Sequence, residues 1–223
     1  MKTVVLSLGG SLIVPNEIDF VFLKNFKKII LDFVKHGNRA VIVCGGGKTC
    51  RYYQNAAVKL ADVNEIERDW VGIKATMLNA QLVKAIFGNN ALLIGNPKKK
   101  IKTNKKIIIG AGWLPGHSTD ADAVFIAKNF KANALINMSN TDYIYDKDPN
   151  KFKDAKSLKI LNWKNFKKLF NSKWVPGQNV IFDQTATKMA EKLKLEVVFM
   201  NGKNLKNFDN FLKGKKFKGS VVS

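Results

Sequence analysis

Three short stretches of the chain couple a β-favouring run to glycines. VIVCGGGKTCR (Val41–Arg51) runs through Val41, Ile42, Val43 and Cys44 into Gly45, Gly46 and Gly47, then Lys48, Thr49 and Arg51. VVLSLGGSL (Val4–Leu12) ends on Gly9, Gly10 and Ser11, and IIIGAGWLPGHSTD (Ile107–Asp120) carries Gly110, Gly112 and Gly116. Consecutive glycines let the backbone come close to another group and aim successive N–H groups at it. The basic residues after Gly47 suit a phosphate. An apolar run reads as a buried strand, and open α/β sheets bind ligands beyond the carboxyl ends of their strands. All three loops fall there, so one crevice lined by main-chain amides is expected. The chemistry it suits is the holding and transfer of phosphoryl groups, which depends on alignment and preorganised charge.

Two common phosphate motifs do not fit. Gly47-Lys48-Thr49 looks like the end of a P-loop, but that motif needs a glycine where Ile42 stands. Gly110-x-Gly112 looks like a dinucleotide fingerprint, but Pro115 takes the third glycine position and no acid ends the next strand at Met138. His117, between Gly116 and Ser118, reads as a turn residue rather than an acid or base. Transfer to an already ionised phosphate needs no general base.

The elements that must position these loops alternate along the chain. Strands are expected at Thr3–Leu8, Val41–Cys44, Ala91–Ile94, Ile107–Ile109, Ala134–Met138, Val197–Met200 and Gly219–Val222. Helices are expected at Asp19–Lys35, from about Thr49 to Leu60, and at Glu65–Phe87, Thr119–Phe130, Asn162–Phe170, Asp183–Leu193 and Leu205–Leu212. Phe22, Leu23, Phe26, Ile29, Ile30 and Phe33 give the first helix its apolar stripe. Asp120 and Asp122 suit the positive end of the helix that begins at Thr119, and Asp183 is an N-cap. Gly95–Lys106 reads as a turn region, Ser139–Lys156 as a long polar connection and Val175–Phe182 as irregular. This alternation predicts an α/β protein with a mainly parallel sheet.

Composition bounds the rest. With 223 residues, 46% of them hydrophobic, the chain can build one large domain or two lobes sharing a sheet. No apolar run approaches the roughly 20 residues that span a bilayer, and Met1-Lys2 leads straight into a strand, so no leader or membrane contact is expected. Cys44 and Cys50 match no zinc spacing and read as reduced thiols, with a cytoplasmic location. The net charge is +21, with lysines scattered through helices and clustered at Lys98–Lys106 and Lys213–Lys218. No zinc finger, helix-turn-helix or RNA-binding aromatic motif accompanies them, so solvated faces are expected and nucleic acid is not expected as a partner. Such a field still attracts nucleotides.

Gly9-Gly10-Ser11, Gly45-Gly46-Gly47 and SNTDYIYDKDP (Ser139–Pro149), in this order, resemble the amino acid kinase superfamily. Within it PGHSTDADA (Pro115–Ala123) and RDWVGIKATMLNA (Arg68–Ala80) resemble the uridylate kinases of the archaeal type. The likeness covers essentially the whole chain. It implies a three-layer αβα sandwich with a mainly parallel central sheet of about eight strands, an open α/β sheet. It implies transfer of the γ-phosphoryl group of Mg-ATP to UMP, with Mg²⁺ carried on ATP and no protein metal site, and usually a homo-hexamer. Residues 1–138 would form the UMP lobe and 139–223 the ATP lobe of one domain with one continuous sheet.

The resemblance also implies roles. Gly9, Gly10 and Ser11 would cradle the ATP phosphates, with Gly47 and Arg51 on the ATP side and Gly46 facing UMP. Asp69 would hold the UMP ribose. Trp113, Leu114, Pro115, Gly116, His117, Ser118 and Thr119 would wrap UMP. Ser139, Tyr145 and Asp148 would surround the adenosine, and Lys188 would lie near the transferred phosphoryl, a catalytic set with Gly10 and Ser11.

The sequence departs from the family in places. Ser7 stands where many members have Lys, which gives Lys188 more weight. Tyr143 stands where a glycine usually follows Asp142, so the turn there is expected to differ or be strained. Met77 stands where the archaeal pattern often has Arg, leaving Arg68 or Lys74 to meet the UMP phosphate. Gly95–Lys106 is short against the family. The competing expectations are a superfamily kinase with another acceptor, such as isopentenyl phosphate or an acyl-amino acid, and a nucleotide-binding regulator with weakened catalysis.

Overall fold

The computed structural model describes residues 1–170 and 181–223. Residues 175–180 of the expected irregular stretch lie outside the described residues. Strands are β1 (Thr3–Leu8), β2 (Arg39–Cys44), β3 (Ala91–Leu93), β4 (Ile107–Gly110), β5 (Ala134–Ser139), β6 (Ile144–Tyr145), β7 (Ser157–Leu158), β8 (Ile160–Leu161), β9 (Val197–Asn201) and β10 (Ser220–Val222). Helices are α1 (Gly10–Ile13), α2 (Phe20–Lys35), α3 (Gly47–Leu60), α4 (Glu65–Phe87), α5 (Thr119–Asn129), α6 (Trp163–Phe170), α7 (Gln184–Lys192) and α8 (Leu205–Leu212).

Eight strands form one sheet in the order β3-β4-β2-β1-β5-β9-β10-β8. Its pairings are parallel except β9 with β10. Both faces of the central strands are buried, so their sequences run apolar without polar alternation. The pleat still sorts them. Val4, Leu6 and Leu8 of β1 and Ala40, Ile42 and Cys44 of β2 pack on the side of α2, α4 and α8. Val5, Val41 and Val43 pack on the side of α5, α6 and α7. Three layers result, as expected for the α/β sandwich.

Side-chain caps begin six of these helices. Asp19, Asn64, Ser118, Asn162, Asp183 and Asn204 each accept a backbone N–H from the first turn, a contact typically worth ~1 kcal/mol. Four local features differ from the sequence expectation. α1 is a single turn made by the GGS loop itself, and α3 starts at Gly47 rather than near Thr49. The polar connection after β5 folds back so that β6 pairs antiparallel with β7. β8 then joins the far edge of the large sheet. Strands of two residues are too short to show a period, so pattern reading passes over them.

Candidate active site

The three glycine loops converge. Leu8 pairs with Cys44, and Val43 with Gly110, so the carboxyl ends of β1, β2 and β4 lie side by side. Leu8 also pairs with Met138, which brings the end of β5 alongside.

The first two loops touch backbone to backbone. A Cβ on Gly10 would lie 2.0 Å from the Gly47 nitrogen and 2.6 Å from the Gly45 carbonyl. A Cβ on Gly47, whose φ is +64°, would lie 2.4 Å from the Gly10 oxygen. Only glycine permits this approach, and Gly47 also needs its conformational freedom. The Asn79 side-chain amide, from α4, donates to the carbonyl oxygens of Gly45 (2.8 Å) and Gly46 (3.2 Å). Those carbonyls are thereby turned toward α4. Gly46 leads into α3, and the first N–H groups of a helix lack intrahelical acceptors and favour anions.

The third loop is tied at three points. The Thr76 hydroxyl of α4 accepts from Gly112 N at 2.9 Å and donates to Ile73 O at 2.7 Å. Asp122 Oδ2 accepts from Trp113 N at 3.1 Å. Asp69 Oδ2 accepts from Gly116 N at 2.9 Å. Asp69 itself is exposed at the start of α4. Within the loop Trp113 packs edge-on against His117, with ring centroids 5.9 Å apart. Ser118 caps α5 by accepting from Ala121 N.

Ser7 and Asn137 lie on the α5 side of the sheet, on adjacent strands. Ser7 Oγ donates to Asp120 Oδ1 at 2.9 Å and Asn137 Nδ2 donates to the same oxygen at 3.2 Å. Burial pushes the Asp120 carboxyl up to about 6, opposed by the Ser7 hydrogen bond and reinforced by the nearby Asp183 charge. No ion pair to Asp120 occurs among the described residues. Where the resemblance expects a lysine, the chain uses a neutral hydroxyl.

The remaining expected site residues are spread more widely. Arg51, on α3, is exposed; its charge and that of Arg68 act on the half-buried Cys50, whose thiol burial pushes up. Lys74 is exposed, its ammonium 5.8 Å from the Trp70 ring. Ser139 ends β5, its hydroxyl 3.3 Å from that of Thr141. Tyr145 lies on β6, edge-on to Tyr143 with centroids 6.3 Å apart. Asp148 is exposed and accepts from the Asn150 backbone and side-chain amides. Tyr143 keeps a negative φ, since Lys131 and Lys194 are the positive-φ non-glycine residues among those described. The turn therefore differs in shape and is not strained. Lys188 is exposed on α7, and no hydrogen bond or ion pair joins it to the glycine loops among the described residues.

Sequence reasoning missed Thr76, Asn79 and Asp122. A signal was present. Thr76 and Asn79 fall three apart on the buried stripe of α4, where a polar side chain needs a partner.

Comparison with known proteins agrees with this geometry. A model of the amino acid kinase family matches residues 2–201. A uridylate kinase of Thermoplasma volcanium is 34% identical over 218 residues, which covers 96% of this chain and 94% of the relative. One of Sulfolobus acidocaldarius is 33% identical over 208 residues, 90% of each chain. The crystal structure of uridylate kinase from Archaeoglobus fulgidus superposes with a TM-score of 0.86 at 30% identity, covering all of both chains. A UMP kinase from Bacillus anthracis shares the fold at 20% identity, with a TM-score of 0.82 over 100% of this chain and 96% of that one.

Proposed function

The chain belongs to the amino acid kinase family, and from that premise we propose that it is a uridylate kinase, forming UDP and ADP from UMP and Mg-ATP. An oxygen of the UMP phosphate attacks the γ-phosphorus. The bond from that phosphorus to the β,γ-bridging oxygen breaks, and ADP leaves with the bonding electrons. The observation that carries this reading is the backbone contact of Gly10 with Gly45 and Gly47, beside a third loop anchored on the neighbouring strand end. Two anionic nucleotides can meet end to end over such a bed of amides.

The roles proposed here are those the family resemblance implies. Gly9, Gly10, Ser11 and Gly47 hold the ATP phosphates, and Gly46 faces UMP. Trp113–Thr119 wraps UMP with Asp69 at its edge. Ser139, Tyr145 and Asp148 border the adenosine, and Arg51 and Lys188 supply positive charge. Residues 1–138 are the acceptor lobe and 139–223 the donor lobe. Mg²⁺ arrives as part of the Mg-ATP substrate. A homo-oligomer, a hexamer by family, acting in the cytoplasm in pyrimidine nucleotide synthesis completes the proposal. No helix among the described residues is long and apolar enough to cross a membrane.

A coupled ADP-release assay with Mg-ATP against UMP, CMP, dUMP and isopentenyl phosphate tests it. UMP should give the highest kcat/KM. Turnover confined to another acceptor would replace UMP in this scheme. Binding of ATP and UMP without ADP formation would favour the regulator reading, to which the neutral Ser7 lends its support.

A further inference from the structure

Asp122 is an unusual residue for its place. It lies in the first turn of α5 and is wholly buried, among Ala121, Ala123 and Val124. Its Oδ2 holds Trp113 N, while its Oδ1 is buried with no hydrogen-bond partner among the described residues. A buried carboxylate with half its acceptor capacity unused is disfavoured unless charge compensates it. Compensation comes from outside the helix. The charges acting on it are His117, from the loop, and Lys98, from the turn region before β4. The Lys98 ammonium lies 4.8 Å from the Trp113 ring centroid and 4.6 Å from that of Phe125. His117 packs between the same two rings, 5.9 Å from Trp113 and 6.2 Å from Phe125. Neither β1 nor β5 carries an ionisable side chain, Arg39 of β2 is turned to Phe130, and Asp183, capping α7, acts on Asp120.

We infer that Asp122 is a positioning residue for the acceptor site: its ionised carboxylate holds the Trp113 amide and draws His117 and Lys98 together, fixing the shape of Trp113–Thr119. The inference rests on the reading of that loop as the UMP loop. Of the loop's three anchors, Thr76 is neutral and Asp69 is exposed. Asp122 alone of the three is both a carboxylate and buried, so it is the anchor whose protonation burial favours. Burial pushes its carboxyl up to about 6, against the opposing pull of His117, the Trp113 N–H and Lys98. Below that pH the group is neutral. Trp113 N then keeps only an uncharged acceptor, a weaker one, and the attraction on His117 and Lys98 is lost.

The test is the pH profile of steady-state kinetics on the full chain. KM for UMP should rise as pH falls through about 6, by roughly 3–10-fold, the ratio between a charged and a neutral hydrogen bond. kcat and KM for ATP should stay nearly flat. The UMP phosphate titrates in the same range, so Asp122→Asn is the reference. It should show the raised KM already near neutral pH and keep only the residual slope of the phosphate. Lys98→Met keeps an apolar stem over the rings but removes the cation, so the step should move to higher pH. If Asp122→Asn keeps the parent KM and step, and Lys98→Met leaves the step in place, the inference is overturned. Failure of the underlying reading looks different: the unsubstituted protein would then not use UMP at any pH.

Discussion

Gly10 is the residue at which fold and chemistry meet most tightly. Its missing side chain is filled by the backbone of the neighbouring loop, with the Gly47 nitrogen 2.0 Å from where a Cβ would sit. Neither partner can yield, because both are main chain held by strands on either side. Gly10→Ala should therefore lower the unfolding free energy by roughly 2–4 kcal/mol, as forced overpacking does. It should also reduce kcat by roughly 10²-fold or more, since separating the loops misplaces the amides proposed to meet the phosphates. Thermal denaturation and the ADP-release assay check both, and a stable variant with parental kcat would show that the loops need not touch. The glycines at this spot were legible in the sequence because consecutive glycines after an apolar run have few other uses. Their direct contact was not, since nothing local says that two loops some 35 residues apart share one space. Thr76, Asn79 and Asp122 were missed for the related reason that a polar residue inside a helix looks solvated until its partner is known.

At the scale of the element, the first turn of α5 combines several tasks. Ser118 caps it, Asp120 takes bonds from two strands, and Asp122 takes one from the loop. The helix dipole favours acids there, which made the turn readable, but the full burial of Asp122 and the partial burial of Asp120 were not. Each carboxyl is raised from 3.8 to about 6. A group whose folded value exceeds its unfolded value binds more protons in the native state between the two, so its contribution to stability grows as pH falls through that window. Between about pH 7 and pH 5 each acid should add roughly 1 kcal/mol to the unfolding free energy. Urea denaturation of the parent and of Asp120→Asn at both pH values isolates the term. The parent should gain more on acidification than the variant, by about that amount; an equal response would mean that Asp120 is solvated in the folded protein. The same comparison of pattern and structure holds for β6, β7 and β8, which no period reveals because pairing partners rather than composition define them.

For the whole molecule, alternation of strands and helices was enough to give an α/β sandwich. The strand order and the antiparallel β10 are long-range facts that local pattern does not carry. Net charge is legible without any structure, and its consequence belongs to this scale. At +21 the protein carries a strong net positive field. In the proposed reaction two multiply charged substrates, a triphosphate and a monophosphate, enter one crevice, and the field acts on the encounter of each. Salt screens charges over ~8–10 Å at physiological strength and over ~3 Å near 1 M, while contacts made at van der Waals distance are screened far less. The two parts of kcat/KM should therefore separate. Raising KCl from about 50 to 500 mM should lower kcat/KM for UMP and for ATP several-fold, through association, with kcat changing less than twofold. Repeating the series with potassium glutamate keeps the ionic strength and changes the anion; a matching decline assigns the effect to screening, and a decline seen with chloride alone assigns it to a bound anion. A kcat/KM that stays flat in both salts would mean that the lysines solvate the surface without steering anything toward the glycine loops.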